Sequence, residues 1–229
     1  PSACHILFED DAHAVVLKPA GMAMHGKGAH TFTSLIRRHW SAVDSAVTAV
    51  HRLDYGTRGP VLVAKSDRAR KHFQAHWDNV SKTYHAWVAG RLDTHSGFAA
   101  FRLENKVSRT DFRCLGHRSW GVHGQASLVE WSLQSGRTHQ IRRHAAALGH
   151  PVIGDLTYGM PPLYTGHGLH LTCTHLAWPH PETGHLMDLH IAPAKKMIRA
   201  VQGTFVKSAP SPWLHLFAPI ESPHGVHSP

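Results

Sequence analysis

Apolar residues in this chain fall in short, strand-length runs punctuated by glycine and proline, and that pattern points to sheet more than to helix. Residues 13–18 form a β-branched run stopped by Pro19 and Gly21, and residues 61–65 form another after the turn-forming stretch 56–60. Segments 82–90, 127–133, 169–178 and 186–191 alternate apolar and polar positions, as half-buried antiparallel strands do. Helical spacing is confined to 31–40, to 67–77 with Ser66 as its cap, to 138–148 ended by Gly149, and more weakly to 194–201. Many strands with few helices, not in strict alternation, argue for an α+β domain on a mixed or mostly antiparallel sheet.

A chain of 229 residues, 42% hydrophobic and 17% charged, is large enough to bury a core without staples and too apolar to stay disordered. Residues 1–203 read as one catalytic-size domain, and 204–229 as a proline-rich tail whose Trp213, Leu214, Leu216 and Phe217 are expected to dock on the body. Twenty-four Lys and Arg against 15 Asp and Glu give a formal charge of +9, so the expected partner is a polyanion, nucleic acid first. No apolar run reaches the roughly 18 residues of a spanning helix, and no secretory pattern opens the chain. The expectation is a cytoplasmic protein with no membrane contact. Cys4, Cys114 and Cys173 are odd in number and far apart, which suggests plain thiols. The 24 histidines read as compositional, scattered over turns and surfaces.

Several motifs stop short of a function. Residues 21–28, GMAMHGKG, approach a phosphate loop, but Gly28 stands where a hydroxyl should hold magnesium. His72 and His76 share a helix face without a third ligand, so no metal site is expected there. No G-x-S-x-G elbow is present. Two stretches say more. In VHRLDYGTRGPVLVAK (50–65) a turn presents Asp54 beside Arg52, although Asp54 alone also fits a turn-starting aspartate. In SGRTHQIR (135–142) Gly136 and Thr138 open a helix whose Ile141, Ala145 and Leu148 would be buried, with Arg142 at the core edge and Arg143 turned away. An arginine so placed wants a carboxylate, either as a structural ion pair or in a cleft where Asp and Arg meet a phosphate-bearing substrate.

At this point HRLDYGT (51–57), KTYHAWVAG (82–90), GRTHQIRRH (136–144) and GDLTYG (154–159) resemble, in order, the motifs of the RluA-type RNA pseudouridine synthases. KPAGMAMH (18–25) and LAWPHPETG (176–184) are similar to two further family segments, so the likeness runs from about Ile6 to Ile198. The resemblance implies an α+β fold with a central bent, mostly antiparallel sheet and a catalytic cleft across it. It also implies an isomerase that needs neither cofactor nor metal. The uracil of a uridine within RNA is detached from C1′, turned, and rejoined through C5.

Carried over by motif, Asp54 is the catalytic carboxylate, as nucleophile or base, and Arg142 is the arginine that pairs with it and keeps it charged. Tyr84 matches the tyrosine that stacks on uracil and assists at C5. Arg52 matches the arginine that fills the gap left by the flipped nucleotide. Lys82, Arg137, His139 and Arg143 are expected to line the RNA path. The sequence departs from the family pattern at Tyr55, Arg58 and Pro60, all beside Asp54. No separate N-terminal RNA-binding domain is evident, which leans the expected target to tRNA or a short rRNA stem-loop, bound by a monomer. The alternative is an inactive RNA-binding protein or folding aid of the same fold.

Overall fold

The computed structural model describes residues 4–26, 30–41, 46–120, 124–159, 168–201 and the backbone of 206–207. Two antiparallel sheets organise the chain. The smaller runs in the order β1 (Ile6–Glu9), β2 (His13–Lys18), β4 (Gly59–Ala64), β3 (Thr48–Ala49). Every residue of β2 and β4 is buried, which is why both read as continuous apolar runs instead of alternating ones. One face, with Ala14, Val16, Val61 and Val63, packs with Phe32 and Ile36 of α1 (Phe32–His39). The other, with Val15, Leu62 and Ala64, packs with Ala69 and Phe73 of α2 (Asp67–Ala75). Thr31 caps α1 in a capping box with Ser34, and Ser66 caps α2 as expected.

The larger sheet runs β10 (Leu186–His190), β9 (Leu171–Pro179), β5 (Ser81–Ala89), β8 (Gln125–Leu133), β7 (Lys106–Ser119), β11 (Val206–Lys207), with β6 (Ser96–Leu103) also on β7. α3 (Gln140–Ala147) follows β8, and α4 (Lys195–Val201) sets Met197 against Trp87, Leu115 and Leu128. The expected α+β architecture on a central, mostly antiparallel sheet is present, with that sheet divided into two. They meet at a seam where Arg58 bridges Thr172 and the Cys173 amide donates to the Arg58 carbonyl at 2.9 Å. Gly59 makes that seam possible, since a Cβ there would lie 2.5 Å from the Cβ of Cys173. Arg58, one of the departures from the family pattern, donates through Nη1 to the Ala192 carbonyl at 2.6 Å and ties the seam to the segment after β10.

Three expectations shift in detail. Helix 67–77 ends at Ala75, with His76 as its C-cap and a 3₁₀ turn at Trp77–Asn79. Helix 138–148 begins only at Gln140, because His139 adopts a left-handed conformation (φ 54°), and Leu148, expected in the core, is 37% exposed past its end. The histidines are not confined to surfaces, since His13, His85, His144 and His170 are buried. Of the tail, only the backbone of β11 is among the described residues, pairing with His117 and Gly116 on β7. Trp213, Leu214, Leu216 and Phe217 lie outside them, as does Gly28 of the glycine-rich stretch.

Candidate active site

The β3–β4 connection carries Asp54 over the seam. Leu53 is buried and anchors it, and the Thr57 amide closes a turn onto the Asp54 carbonyl at 3.0 Å. The turn-starting role considered for Asp54 is therefore real, and it leaves the carboxylate free for other work. Lys18, at the end of β2, holds the loop from below. Its fully buried ammonium donates to the carbonyls of Pro19 (2.9 Å), Met22 (2.8 Å) and Tyr55 (3.3 Å). Burial pushes that ammonium down to about 8, against the stabilising charge of Asp54.

The facing wall is α3 and the turn before it. Gln140, buried at the helix start, accepts from Ser135 Oγ (2.8 Å) and the Arg137 amide (3.0 Å) and donates to the Arg109 carbonyl and Thr110 Oγ1, both at 2.9 Å. One carboxamide thus fixes the whole 135–140 turn. Arg142, two residues further along the helix, binds Asp155 through two bonds, Nε to Oδ2 at 2.7 Å and Nη2 to Oδ1 at 2.8 Å. Its Nη1 points to Asp54 Oδ2 at 3.8 Å. The expected Arg142–Asp54 pairing is present, but as the looser of two contacts.

Asp155 is locked in turn. Its Oδ1 also accepts the amides of Thr157 (2.9 Å) and Tyr158 (3.1 Å). Although burial raises it, these donors and the Arg142 guanidinium hold its carboxyl below the usual range. Gly154 makes the turn possible: its φ is +79°, and a Cβ would sit 2.2 Å from the Gly168 carbonyl oxygen. Tyr158 completes the arrangement, with its ring 5.1 Å from the Arg142 guanidinium and its hydroxyl 3.1 Å from His139 Nδ1.

Tyr84 forms the floor. It pairs with Trp131 on β8 and Cys173 on β9, and is buried within the main core. Burial first, then the Cys173 and Asp54 charges, push its phenol well above 10, so it is a neutral hydroxyl at physiological pH. A single cavity is lined by Asp54 and Tyr84 together with Arg52, Lys82, Arg137 and His139. Arg52 is exposed at the rim. Lys82 stands 5.0 Å over the Trp77 ring, and burial lowers its pKa. Burial likewise lowers His139, with Asp54 opposing. Arg143 does not line this cavity.

The structure therefore brings together Asp54, Tyr84 and Arg142, the candidates named from the sequence, and adds three residues around them that the sequence did not single out. Asp155 stood in the quoted GDLTYG motif, Lys18 in KPAGMAMH and Gln140 in GRTHQIRRH. Each was visible as a polar residue within a motif, while its partner, far off in sequence, was not.

The fold is that of the pseudouridine synthases. It matches human RNA pseudouridylate synthase domain containing 1 with a TM-score of 0.74 at 22% identity, covering 94% of this chain and 95% of that one. The sequence matches the RNA pseudouridylate synthase family over residues 12–147, more than half of the chain, and the chain belongs to that family of RNA uridine isomerases. It is 34% identical over 209 residues to an uncharacterised RNA pseudouridine synthase of Mycobacterium bovis, covering 80% of this chain and 67% of the relative. Against ribosomal large subunit pseudouridine synthase C of Yersinia pestis it is 33% identical over 214 residues, covering 85% and 67%. No helix among the described residues is long and apolar enough to cross a membrane.

Proposed function

We propose that this chain isomerises a uridine in a stem-loop of large-subunit ribosomal RNA, with Asp54 as the catalytic carboxylate. The observation that carries the reading is the convergence of Asp54 and Tyr84 in one cavity with an arginine, Arg142, 3.8 Å from the carboxylate. In the reaction the N1–C1′ bond breaks, a C5–C1′ bond forms, C5 loses a proton and N1 gains one, so the product is an isomer. Asp54 acts either by attacking C1′ or by removing the 2′ proton. Both routes need an ionised oxygen at the sugar, and both fit a carboxylate facing a guanidinium.

C1′ and C5 of a stacked uridine cannot both be reached, so the base must leave the stack, and Tyr84 offers a flat face to receive it. Arg52, Lys82, Arg137 and His139 surround the cavity where the flanking phosphates would pass, in a chain of formal charge +9. Arg143 is then a more distant phosphate contact. The ribosomal target rests on the names of relatives such as the Yersinia pestis protein.

The test is tritium release from RNA labelled at uridine C5, with large-subunit rRNA and tRNA transcripts as separate substrates. Wild type should release tritium from the rRNA, while Asp54→Asn should fall below about 1% of that rate and still bind RNA within a few fold. Release from tRNA alone would move the target, and an active Asp54→Asn would remove Asp54 from the chemistry.

A further inference from the structure

Among the described residues, two clusters of metal-ligating side chains lie outside the cleft, Asp10 with His13 and His180, and Asp188 with His175 and His190. The first is closed by its own hydrogen bonds. His13 Nε2 accepts the indole N–H of Trp178 at 3.0 Å, so the ring proton sits on the Nδ1 that faces Asp10. His180 Nδ1 accepts the amides of Glu182 (3.1 Å) and Thr183 (3.2 Å), so its proton sits on Nε2 and is donated to Asp10 at 2.8 Å. In both rings the other nitrogen already accepts an N–H, so the proton facing Asp10 cannot move across the ring, and neither imidazole can turn a lone pair towards a cation there.

The second cluster is built differently. His175 on β9 and His190 on β10 are directly opposed in an antiparallel register, and Asp188, two residues before His190, shares their face of the hairpin. The imidazoles stack with centroids 4.3 Å apart and planes inclined by only 7°. Both Nε2 atoms point at the same carboxylate, His190 at 2.6 Å from Oδ1 and His175 at 3.4 Å from Oδ2. Tetrahedral zinc, with bonds of about 2.0–2.1 Å, needs ligand atoms roughly 3.3 Å apart. Here all three ligand atoms lie within 4.8 Å of one another, close enough for side-chain rotation alone to bring them onto an ion.

We propose that His175, Asp188 and His190 form a binding site for a divalent cation of the zinc class, which cross-links β9 to β10 and leaves its remaining positions to water. The ligand set, two imidazoles and one carboxylate, suits zinc and its neighbours better than magnesium or calcium. Thr83 Oγ1, 3.4 Å from His175 Nδ1, can accept the proton that this ring keeps once Nε2 is bound. Asp188, with its side chain 52% exposed, leaves the site open to arriving ions. Thr83 is also the cross-strand neighbour of His175 and precedes Tyr84, so strand alternation sets the site on the opposite face of β5 from Tyr84.

The experiment titrates Zn²⁺ into protein first stripped with EDTA, reading stoichiometry by calorimetry and melting temperature in parallel. Co²⁺ is added separately as a spectroscopic probe. Wild type should bind one equivalent more tightly than the rest, melt higher with Zn²⁺ than with EDTA, and show the visible absorption of imidazole-bound Co²⁺. His190→Gln and Asp188→Asn should each weaken that equivalent at least about tenfold. His180→Gln, from the closed cluster, should retain it, and none of the three should change isomerase turnover. Equal Zn²⁺ binding by wild type, His190→Gln and Asp188→Asn would overturn the assignment, as would loss in His180→Gln alone. Should a variant melt below wild type in EDTA, the wild-type Co²⁺ spectrum decides: no imidazole-to-cobalt signature at one equivalent refutes the site.

Discussion

The two walls of the cleft are held by opposite strategies. On the α3 side the groups that hold the cation are committed: Gln140 makes four hydrogen bonds, and Arg142 and Asp155 share two, with two further amides on the Asp155 carboxylate. On the Asp54 side the backbone is held, by the Thr57 turn and by Lys18, while the Asp54 and Tyr55 side chains are held far less. Tyr55 is 66% exposed, and among the described residues the only ion pair of Asp54 is the 3.8 Å contact to Arg142. In its proposed role as the reacting carboxylate Asp54 must be free to meet its substrate, whereas the cation beside it must not move. The difference shows where fixed geometry is needed and where it would obstruct.

The largest effect should come from breaking the committed wall. Asp155→Asn strands a guanidinium whose side chain is 10% exposed and should cost about 3–5 kcal/mol, visible as a fall in denaturant midpoint and loss of turnover together. Asp54→Asn should lose turnover while leaving stability within about 0.5 kcal/mol, since its side chain is 18% exposed and its contact to Arg142 is a loose 3.8 Å. Equal destabilisation by the two would erase the contrast between the walls.

Acid should reveal that the committed wall is not the first part of the protein to fail. His13 and His85 are buried, and burial lowers them from 6.5 to about 4 and about 3. Between those values and 6.5 the unfolded chain binds protons that the folded chain refuses, so stability falls as pH drops through this window. At pH 5 the loss should be on the order of 3 kcal/mol relative to pH 7, partly offset by Glu130, whose carboxyl burial pushes up. Asp155, held below its usual range, stays ionised throughout and keeps Arg142 paired. Denaturant melts at pH 7, 6 and 5 measure the slope. A flat profile would mean that these histidines are protonated in the folded state.

The difference between the walls also explains what could be read from the sequence. Strands β2, β4, β5, β8, β9 and β10 were legible because burial on one or both faces writes itself as a run or an alternation. β6 and β7 were not, because β6 is largely exposed and the turn between them uses Glu104 and Asn105 at positive φ (53° and 61°) instead of an Asn-Gly pair. Asp54, Tyr84 and Arg142 could be named from motifs. Asp155 as the main partner of Arg142 could not, because a bidentate pair depends on the turn that Gly154 makes against Gly168, which no local periodicity encodes.

Loosening the freer wall should have a smaller effect. Lys18→Met keeps most of the buried stem but removes the donor from the carbonyls of Pro19, Met22 and Tyr55. Because it also removes the cost of burying a charge, net stability should change by only about 1–2 kcal/mol in either direction. Turnover should fall by roughly tenfold with KM little changed, because the Asp54 turn loses its support and not its shape. A variant with normal turnover would show that the Thr57 turn alone positions Asp54.

The smallest change is expected at the floor. Tyr84→Phe keeps the ring that would stack on uracil and removes only a hydroxyl. That hydroxyl is held well above 10 by burial and by its neighbours, so it offers no phenolate to take the C5 proton at neutral pH. It can still donate a hydrogen bond to the uracil as charge develops, a contribution of about 1 kcal/mol. RNA affinity should therefore stay within about twofold, and single-turnover rate should fall by less than about tenfold. Tyr84→Ala should reduce both by more, since stacking on an aromatic ring is worth about 1–3 kcal/mol per base. A rate loss above about 100-fold in Tyr84→Phe with affinity intact would instead place the hydroxyl in the proton transfer, and the cleft would then have a second reacting group on its most buried surface.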